Sequence, residues 1–179
     1  PEVGRELRVV PRGAPQRIAI VGAGPAGCEA AVYAASLGDE VLLVDEGTHT
    51  GGALRLAART PGGAPFGELA DFHAAELARL GVTVALGTRA DAAILSAFAP
   101  DHVILATGAR PDVPGIEGYE SAPLATDEDV LQGEVEPVGR TVVLGAGRRA
   151  LVTALLCADR GAAVTVVDHD GLRPAYDAS

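Results

Sequence analysis

The sequence predicts an α/β fold with a parallel sheet, and three observations support this prediction. An apolar run, a glycine-rich turn, a helical segment and a second apolar run follow one another over residues 17–46. The same order returns over residues 140–168, and a third apolar run at residues 101–108 lies between the two. Strands that alternate with helices are typical of parallel α/β sheets. We therefore expect a Rossmann-like FAD/NAD(P)-binding domain, followed by an incomplete second Rossmann βαβ unit.

The first βαβ unit contains a glycine pattern in which each glycine has its own expected role. Gly22 permits a tight turn at the end of the strand over residues 17–21. Gly24 has no Cβ, so the backbone there can lie close to a pyrophosphate, and Gly27 lets the helix pack against the strands. Asp45 follows the second strand, where a carboxylate can accept hydrogen bonds from ribose hydroxyls.

The predicted ligand of this unit is the ADP half of a dinucleotide. The start of the helix, at Pro25 and Ala26, offers free N–H groups and the positive end of the helix dipole to phosphates. Asp45, with Glu46 beside it, would repel a 2′-phosphate, so the site is expected to favour FAD, ADP or NAD over NADP. The alternative interpretation is a strand–helix turn that binds no ligand.

Further candidate residues follow the later strands of this domain. Gly51 and Gly52 follow Asp45 by a few residues, and we interpret them as positions where the backbone passes close to the ligand. An ordinary surface loop is the alternative. Arg55 or Arg59 could supply charge to a phosphate. The strand ends add five candidate cofactor contacts, namely Arg89, Ala90, Ala106, Thr107 and Gly108.

The second unit repeats the pattern of the first with one change. A strand over residues 140–144 leads into a G-x-G-x-x-A turn, and a helix over residues 151–160 leads into another strand. Ala150 replaces the third glycine, which this motif allows. Arg148 and Arg149 could meet phosphate, and a unit that keeps the fold but binds nothing is the alternative. The candidate contacts to NAD(H) are Gly145, Gly147 and Asp168.

The remaining segments predict the elements around these two units. The strand over residues 101–108 is expected to be buried, with its carboxyl end beside the first glycine turn. A Pro- and Gly-rich stretch over residues 109–119 is the candidate domain boundary. We expect a linker at residues 1–16, a first domain at residues 17–115 and a partial second domain at residues 116–179. The other expected elements are a helix over residues 67–80 ended by Gly81, a strand over residues 82–86, and short helices over residues 91–98 and 126–131, the last capped by Thr126 or Asp127.

Composition and charge argue against several classes of protein. A formal net charge of −10 argues against nucleic acid or an anionic membrane surface as a partner. No apolar run reaches the roughly 18 residues that a membrane span requires, and residues 1–16 lack the features of a signal peptide, so a cytoplasmic protein is expected. Cys28 and Cys157 lack the spacing of redox or metal pairs and are expected to be buried. The histidines are scattered, so no metal site is predicted.

Several segments together are similar to a family of flavoenzymes. They resemble the C-terminal half of the iron–sulfur NADH:flavin oxidoreductases of the old-yellow-enzyme class, which belong to the two-dinucleotide-binding flavoproteins. That group includes 2,4-dienoyl-CoA reductase, trimethylamine dehydrogenase and histamine dehydrogenase. The matching segments are Pro1–Glu6, Val21–Gly27, Asp45 with Gly51 and Gly52, Pro61–Gly62 before the helix over residues 67–80, and Ala106–Pro111.

The resemblance implies that this chain is one part of a larger enzyme. FMN and a 4Fe–4S cluster are expected only in a TIM-barrel and iron–sulfur portion that this chain lacks and that would be its partner. In this family a later segment completes the first domain and adds flavin contacts, and it too is expected to lie outside this chain. Ala53 and Arg55 stand where many relatives carry amide side chains near the cofactor, and Cys28 stands where Leu is commoner.

Two functions of different classes fit these observations. The first is the nucleotide-binding part of a flavin-dependent oxidoreductase, which, as the family implies, passes electrons between NAD(P)H, FAD and the cluster and FMN portion. The second is a non-catalytic ADP- or NAD-binding module that acts in assembly or regulation. No residue is assigned a catalytic role, because in such proteins the cofactor carries the chemistry.

Overall fold

The structure is a computed structural model that describes residues 13–110, Ser121 and residues 123–168. The opening segment Pro1–Glu6 and Pro111 of the family resemblance lie outside the described residues. Within the described part, the chain divides into two compact units. One unit comprises residues 13–55 and 67–109, and the other comprises residues 56–66 and the described residues from 110 to 168.

The elements alternate as the sequence predicts. In chain order they are β1 (Arg17–Val21), α1 (Pro25–Ser36), β2 (Glu40–Val44), α2 (Ala53–Ala57), α3 (Ala64–Arg79), β3 (Thr83–Ala85), α4 (Ala92–Phe98), β4 (His102–Leu105), α5 (Asp127–Gln132), β5 (Arg140–Leu144), α6 (Arg148–Asp159) and β6 (Ala163–Val167). The prediction of an α/β fold with a parallel sheet is confirmed.

The first unit is built on a four-stranded parallel sheet in the order β3-β2-β1-β4. The last residue of β1, Val21, pairs with Val44 of β2 and with Leu105 of β4. On the far side of β2, Val44 also pairs with Ala85 of β3. Because the strands are parallel and end in register, their carboxyl ends meet at one edge of the sheet, which is where ligands bind in open α/β folds.

The core of the first unit lies where α1 packs against β1 and β2. Ile20 and Leu43 are fully buried in the two central strands. Helix α1 meets them with a face of small residues that includes Cys28 and Ala31, and α3 adds Leu77. Burial of each large aliphatic side chain contributes about 1.5–3 kcal/mol, and the small face of α1 lets the helix approach the strands closely.

Strand β4 differs from the prediction of a buried strand. All of its residues, His102–Leu105, are exposed, and Val103 and Leu105 have exposed fractions of 45% and 75%. The physical reason is its position at the end of the sheet, where it pairs only with β1 among the described strands. Its apolar sequence is typical of an internal strand, and sequence alone does not distinguish an internal strand from an edge strand.

The second unit contains a two-stranded parallel sheet, β5-β6, with α6 packed against it and α5 packed against α6. Its small core contains Val130, Leu131, Leu156 and Cys157. The sheet is only partly covered, and Val142 in β5 has an exposed fraction of 60%. Residues 127–167 of this unit thus form one βαβ motif and its adjoining helix.

Helix ends follow the local signals with small shifts. Thr126 caps α5 in a capping box: Thr126 Oγ1 accepts from the Asp129 N–H at 3.2 Å, and Asp129 Oδ2 accepts from the Thr126 N–H at 2.7 Å. Asp91 caps α4, accepting from the Ile94 N–H at 2.8 Å. Helix α3 begins three residues earlier than predicted, whereas the short helix α2 was not predicted.

None of the helices in the described part of the chain has the length and apolar character that a membrane crossing needs.

Candidate functional site

The first glycine turn is held by backbone contacts on two sides. The Gly22 N–H donates to the Val44 carbonyl at 2.8 Å, and the Ala106 N–H donates to the Val21 carbonyl at 2.8 Å. Gly22 has φ +105°, a conformation that L side chains rarely adopt, and a Cβ there would overlap the Ala106 carbonyl. The turn therefore lies between the carboxyl ends of β2 and β4. The carboxyl end of β4 was predicted to lie beside it.

Gly24 leaves open space at the start of α1. It is the N-cap residue, with φ −72° and ψ −176°, and no side chain caps the free N–H groups of the first turn. A Cβ built on Gly24 would meet nothing within 4 Å. Pro25 occupies the first helical position, and Ala26 and Gly27 carry the first free N–H groups. Open space beside uncapped N–H groups at the positive end of a helix fits a pyrophosphate group.

Gly27 explains how α1 comes so close to the strands. A Cβ at this position would overlap the Gly22 carbonyl oxygen and would lie 3.3 Å from the Ala106 Cβ. The helix therefore packs on the turn through backbone atoms. This contact matches the packing role expected for the third glycine of the motif.

Asp45 lies against the turn and is bonded to it. Its Oδ2 accepts from the Ala23 N–H at 2.5 Å, and its Oδ1 accepts from the Gly47 N–H at 2.7 Å. Each carboxylate oxygen has two acceptor sites, so each keeps one for another donor. The sequence predicted Asp45 as a site residue but not its two partners, Ala23 and Gly47. Both partners act through backbone N–H groups, which nearly every residue type has.

The glycine pair packs directly on the same turn. The Gly51 N–H donates to the Ala23 carbonyl at 2.8 Å. A Cβ on Gly52 would lie 3.0 Å from the Gly24 Cα, and a Cβ on Gly51 would lie 2.7 Å from the Ala70 Cβ. Contacts within the chain alone therefore explain why both positions are glycine. Their closeness to a ligand stays a prediction.

The two arginines proposed for phosphate contact have protein partners. Arg55 Nη1 lies 2.6 Å from Asp71 Oδ1, and its Nε donates to the Thr50 carbonyl at 3.1 Å. Arg59 Nη1 donates to the carbonyls of Leu131 and Gln132, both at 2.9 Å, at the end of α5. Both guanidinium groups thus fix local structure in their own units.

The other strand ends bring further predicted residues to this edge of the sheet. The Thr88 N–H donates to the Asp45 carbonyl at 2.9 Å, which places the start of the loop after β3 against Asp45. The Thr107 Cα lies 3.1 Å from the position of a Cβ on Gly22. The structure therefore gathers the glycine turn, Asp45 and the loops after β3 and β4 at one edge. Arg89, Thr107 and Gly108 in these loops are exposed, as is Glu46 after β2, whereas Ala90 and Ala106 are half-buried.

The second glycine turn repeats the geometry of the first. The Gly145 N–H donates to the Val167 carbonyl at 2.7 Å, and Gly145 has φ +100°. Gly147 is the N-cap of α6, and a Cβ there would meet nothing within 4 Å. Ala150 fits at the third position, since its Cβ lies 3.8 Å from the place of a Cβ on Gly145, an ordinary contact distance. Asp168 directly follows β6 and is exposed.

The arginine pair at the second turn has two different environments. Arg149 Nε donates to Asp127 Oδ2 at 2.7 Å, and its Nη2 donates to Glu128 Oε1 at 3.3 Å, so it links α6 to α5. Arg148, the first residue of α6, is exposed and has no ion-pair partner within residues 13–110 and 123–168. Arg148 is thus the more accessible of the two to a phosphate.

The two cysteines and His73 are buried and make structural contacts. Cys28 donates from Sγ to the Ala23 carbonyl at 3.2 Å beneath the first turn, and burial raises the pKa of the Cys28 and Cys157 thiols. His73 is buried, and its Nε2 lies 2.9 Å from Glu29 Oε2, which joins α3 to α1. In the part of the chain that the structure describes, no three His, Cys, Asp or Glu side chains are grouped so that they could hold a metal ion.

The two raised thiol pKa values predict a loss of stability at alkaline pH. The folded state keeps protons that the unfolded thiols release above about pH 8.5, so this contribution is complete below that pH and is lost as the pH rises towards the folded pKa values. The sequence contains no lysine, so few other side chains titrate there. We expect the free energy of unfolding in urea to fall between pH 8 and pH 10, and to fall less in the double variant Cys28→Ala, Cys157→Ala. Equal falls in both proteins would contradict this expectation.

Known proteins match nearly the whole chain. A family model described as pyridine nucleotide-disulphide oxidoreductase matches residues 16–179. The chain is 41% identical over 157 residues to an NADH oxidase of Thermoanaerobacter brockii, which covers 86% of this chain and 24% of that protein. It is 34% identical over 186 residues to an N,N-dimethylglycine/sarcosine dehydrogenase of Chromohalobacter salexigens, covering 94% of this chain and 26% of the relative.

A solved structure supports the same assignment of fold. A 2-naphthoyl-CoA reductase superposes on the chain with a TM-score of 0.87 and 31% identity. The match covers 94% of this chain and 26% of that chain. The chain therefore spans about a quarter of the length of these relatives.

Proposed function

The chain belongs to the pyridine nucleotide-disulphide oxidoreductase family, and from this premise we propose that it is the nucleotide-binding part of a flavin-dependent oxidoreductase. The first glycine turn would bind FAD through its ADP half, and the second would bind NAD(H). Electrons would pass between NAD(P)H, FAD and a portion that lies outside this chain and carries FMN and an iron–sulfur cluster. The domain limits of residues 17–115 and 116–179, and a cytoplasmic location, stay predictions.

One observation carries this proposal: the space at Gly24 is open, and it lies beside both uncapped helical N–H groups and a carboxylate fixed to the same turn. The N–H groups of Ala26 and Gly27 would bind the pyrophosphate, whose negative charge the helix dipole favours. The free acceptor sites of Asp45 would bind ribose hydroxyls. The flavin, when bound, supplies the hydride chemistry, and this chain's own residues bind and orient it.

Release of the bound nucleotide from the purified protein tests the proposal. We expect a yellow protein that absorbs at about 450 nm, as flavins do, and that yields FAD by mass spectrometry after denaturation. A colourless protein that yields ADP, or that binds ADP in solution, would support the non-catalytic ADP-binding module instead. Failure to bind either nucleotide would contradict both proposals.

Asp45→Ala tests the ribose contact directly. We expect ADP or FAD to bind about 1–3 kcal/mol more weakly, because charge-assisted hydrogen bonds are lost. Asp45→Asn should also weaken binding, since its amide N–H₂ would face one of the backbone N–H donors of Ala23 and Gly47. Glu68→Gln, an exposed site on α3, is the control for the change in net charge. Calorimetric affinities that are equal in Asp45→Ala and Glu68→Gln would contradict the assignment.

A further inference from the structure

We propose that Arg55 is a positioning residue of the first glycine turn, and that it holds the end of the loop after β2 in place before a nucleotide binds. This inference rests on the proposed function, in which the first turn binds the ADP half of a dinucleotide. The loop runs from Asp45 to Gly52, between β2 and α2. Asp45 fixes its start through bonds to the Ala23 and Gly47 N–H groups, so the end of the loop needs an anchor of its own.

The end of this loop packs on Gly24, the residue at the space proposed for the pyrophosphate. The Gly51 N–H donates to the Ala23 carbonyl at 2.8 Å, and a Cβ on Gly52 would lie 3.0 Å from the Gly24 Cα. Both glycines of the loop have positive φ values, +104° and +44°. Glycine adopts many other backbone conformations as readily, so contacts from outside the pair must select this one.

Arg55 makes contacts on both sides of the glycine pair. Its backbone N–H donates to the Gly52 carbonyl at 2.9 Å, and its Nε donates to the Thr50 carbonyl at 3.1 Å. Its side chain passes along Gly51, since a Cβ there would lie 3.2 Å from the Arg55 Cγ. Its Nη1 pairs with Asp71 Oδ1 at 2.6 Å. The guanidinium group therefore joins the loop to α3, which packs in the core of the first unit.

These contacts suit local ordering better than global stability. The side chains of Arg55 and Asp71 have exposed fractions of 37% and 72%, and ion pairs at the surface contribute little to the free energy of unfolding. The cost of ordering one backbone residue, in contrast, corresponds to about a tenfold change in a binding constant. We therefore expect changes at Arg55 to alter nucleotide affinity while the protein stays folded.

A direct contact between Arg55 and a phosphate is the alternative role, and Asp71 distinguishes the two. If Arg55 acted through its charge, Asp71→Ala would remove a competing carboxylate and strengthen ADP binding. If Arg55 acts through position, Asp71→Ala releases the guanidinium group from α3 and weakens binding. The rate constants also differ, because loss of a ligand contact raises the dissociation rate constant. A loop that is ordered only part of the time lowers the association rate constant instead.

The test measures ADP binding to the full chain with Gly147→Val, which blocks the second turn, after bound nucleotide has been removed. Calorimetry and stopped-flow kinetics should show that Arg55→Ala lowers the affinity about tenfold, mainly through slower association. Asp71→Ala should also weaken binding, and the double variant should bind no more weakly than Arg55→Ala alone. Glu68→Ala removes an exposed acid from the same helix and should leave both rate constants unchanged.

Several outcomes would overturn this inference. They are unchanged affinity in Arg55→Ala, tighter binding in Asp71→Ala, and a loss of affinity that lies in the dissociation rate constant. Loss of the circular dichroism signal of the folded protein in Arg55→Ala would also overturn it, because a local role leaves the fold intact. Failure of the proposed function is separate, since it would appear as wild-type protein that binds neither FAD nor ADP at the first turn.

Discussion

Gly24→Val is expected to lower the affinity for FAD and ADP at least about 100-fold, equal to about 3 kcal/mol, while the protein still folds. A Cβ at Gly24 meets nothing within 4 Å, so the valine side chain would begin in the space assigned to the pyrophosphate with no protein atom in contact with its Cβ. The backbone there, at φ −72° and ψ −176°, is extended, and valine adopts that conformation readily. Loss of the N-cap glycine should cost only about 1 kcal/mol of stability.

Calorimetry with ADP and FAD measures this loss, and circular dichroism checks the fold. Gly147→Val is the matched control, because Gly147 is also an N-cap glycine with open space at its Cβ position, but in the second unit. This control should leave ADP or FAD affinity at the first turn unchanged. If Gly24→Val bound either nucleotide as tightly as the wild type, the first turn would not be the site.

Gly27→Ala is expected to lower the free energy of unfolding by about 3 kcal/mol, at the upper end for overpacking a core by one methyl group. The added Cβ would overlap the Gly22 carbonyl oxygen. That oxygen belongs to a turn tied to the end of β2 through the Val44 carbonyl, so it has no room to retreat. Helix α1 would have to move off the strands that it covers.

The equivalent position of the second turn supplies the control. Ala150 already carries the methyl group there, so Ala150→Gly should cost no more than the roughly 1 kcal/mol that separates the two residues in helices. Urea unfolding followed by far-ultraviolet circular dichroism measures both variants. A loss below about 1 kcal/mol in Gly27→Ala would mean that α1 can shift freely, contrary to the backbone contact described for Gly27.

Much of the fold could be predicted from sequence because its signals are local. Each pattern is recognisable within a few consecutive residues: the apolar runs, the glycine turns and the acids at the strand ends. The βαβ order that these patterns predict was confirmed. The capping box at Thr126 has a similar local signature. The resemblance to the NADH:flavin oxidoreductase class, drawn from short segments of this kind, was also confirmed.

Other features depend on partners that are distant in the sequence. The ion pairs of Arg149 with Asp127 and Glu128, more than twenty residues earlier, have no local signal in the sequence. The exposure of β4 depends on its place at the end of the sheet, which its apolar composition does not reveal. Helix α2 is only five residues long, too short for a periodic pattern.

The bonds from Asp45 to Ala23 and Gly47 have a consequence for the kinetics of ligand association. They fix the first glycine turn and the start of the loop after β2 in the folded protein before any ligand binds. Little conformational entropy is then lost in ordering these segments when a nucleotide binds. Binding should then proceed as one bimolecular step, with an observed rate that rises linearly with nucleotide concentration and has no slow isomerisation phase.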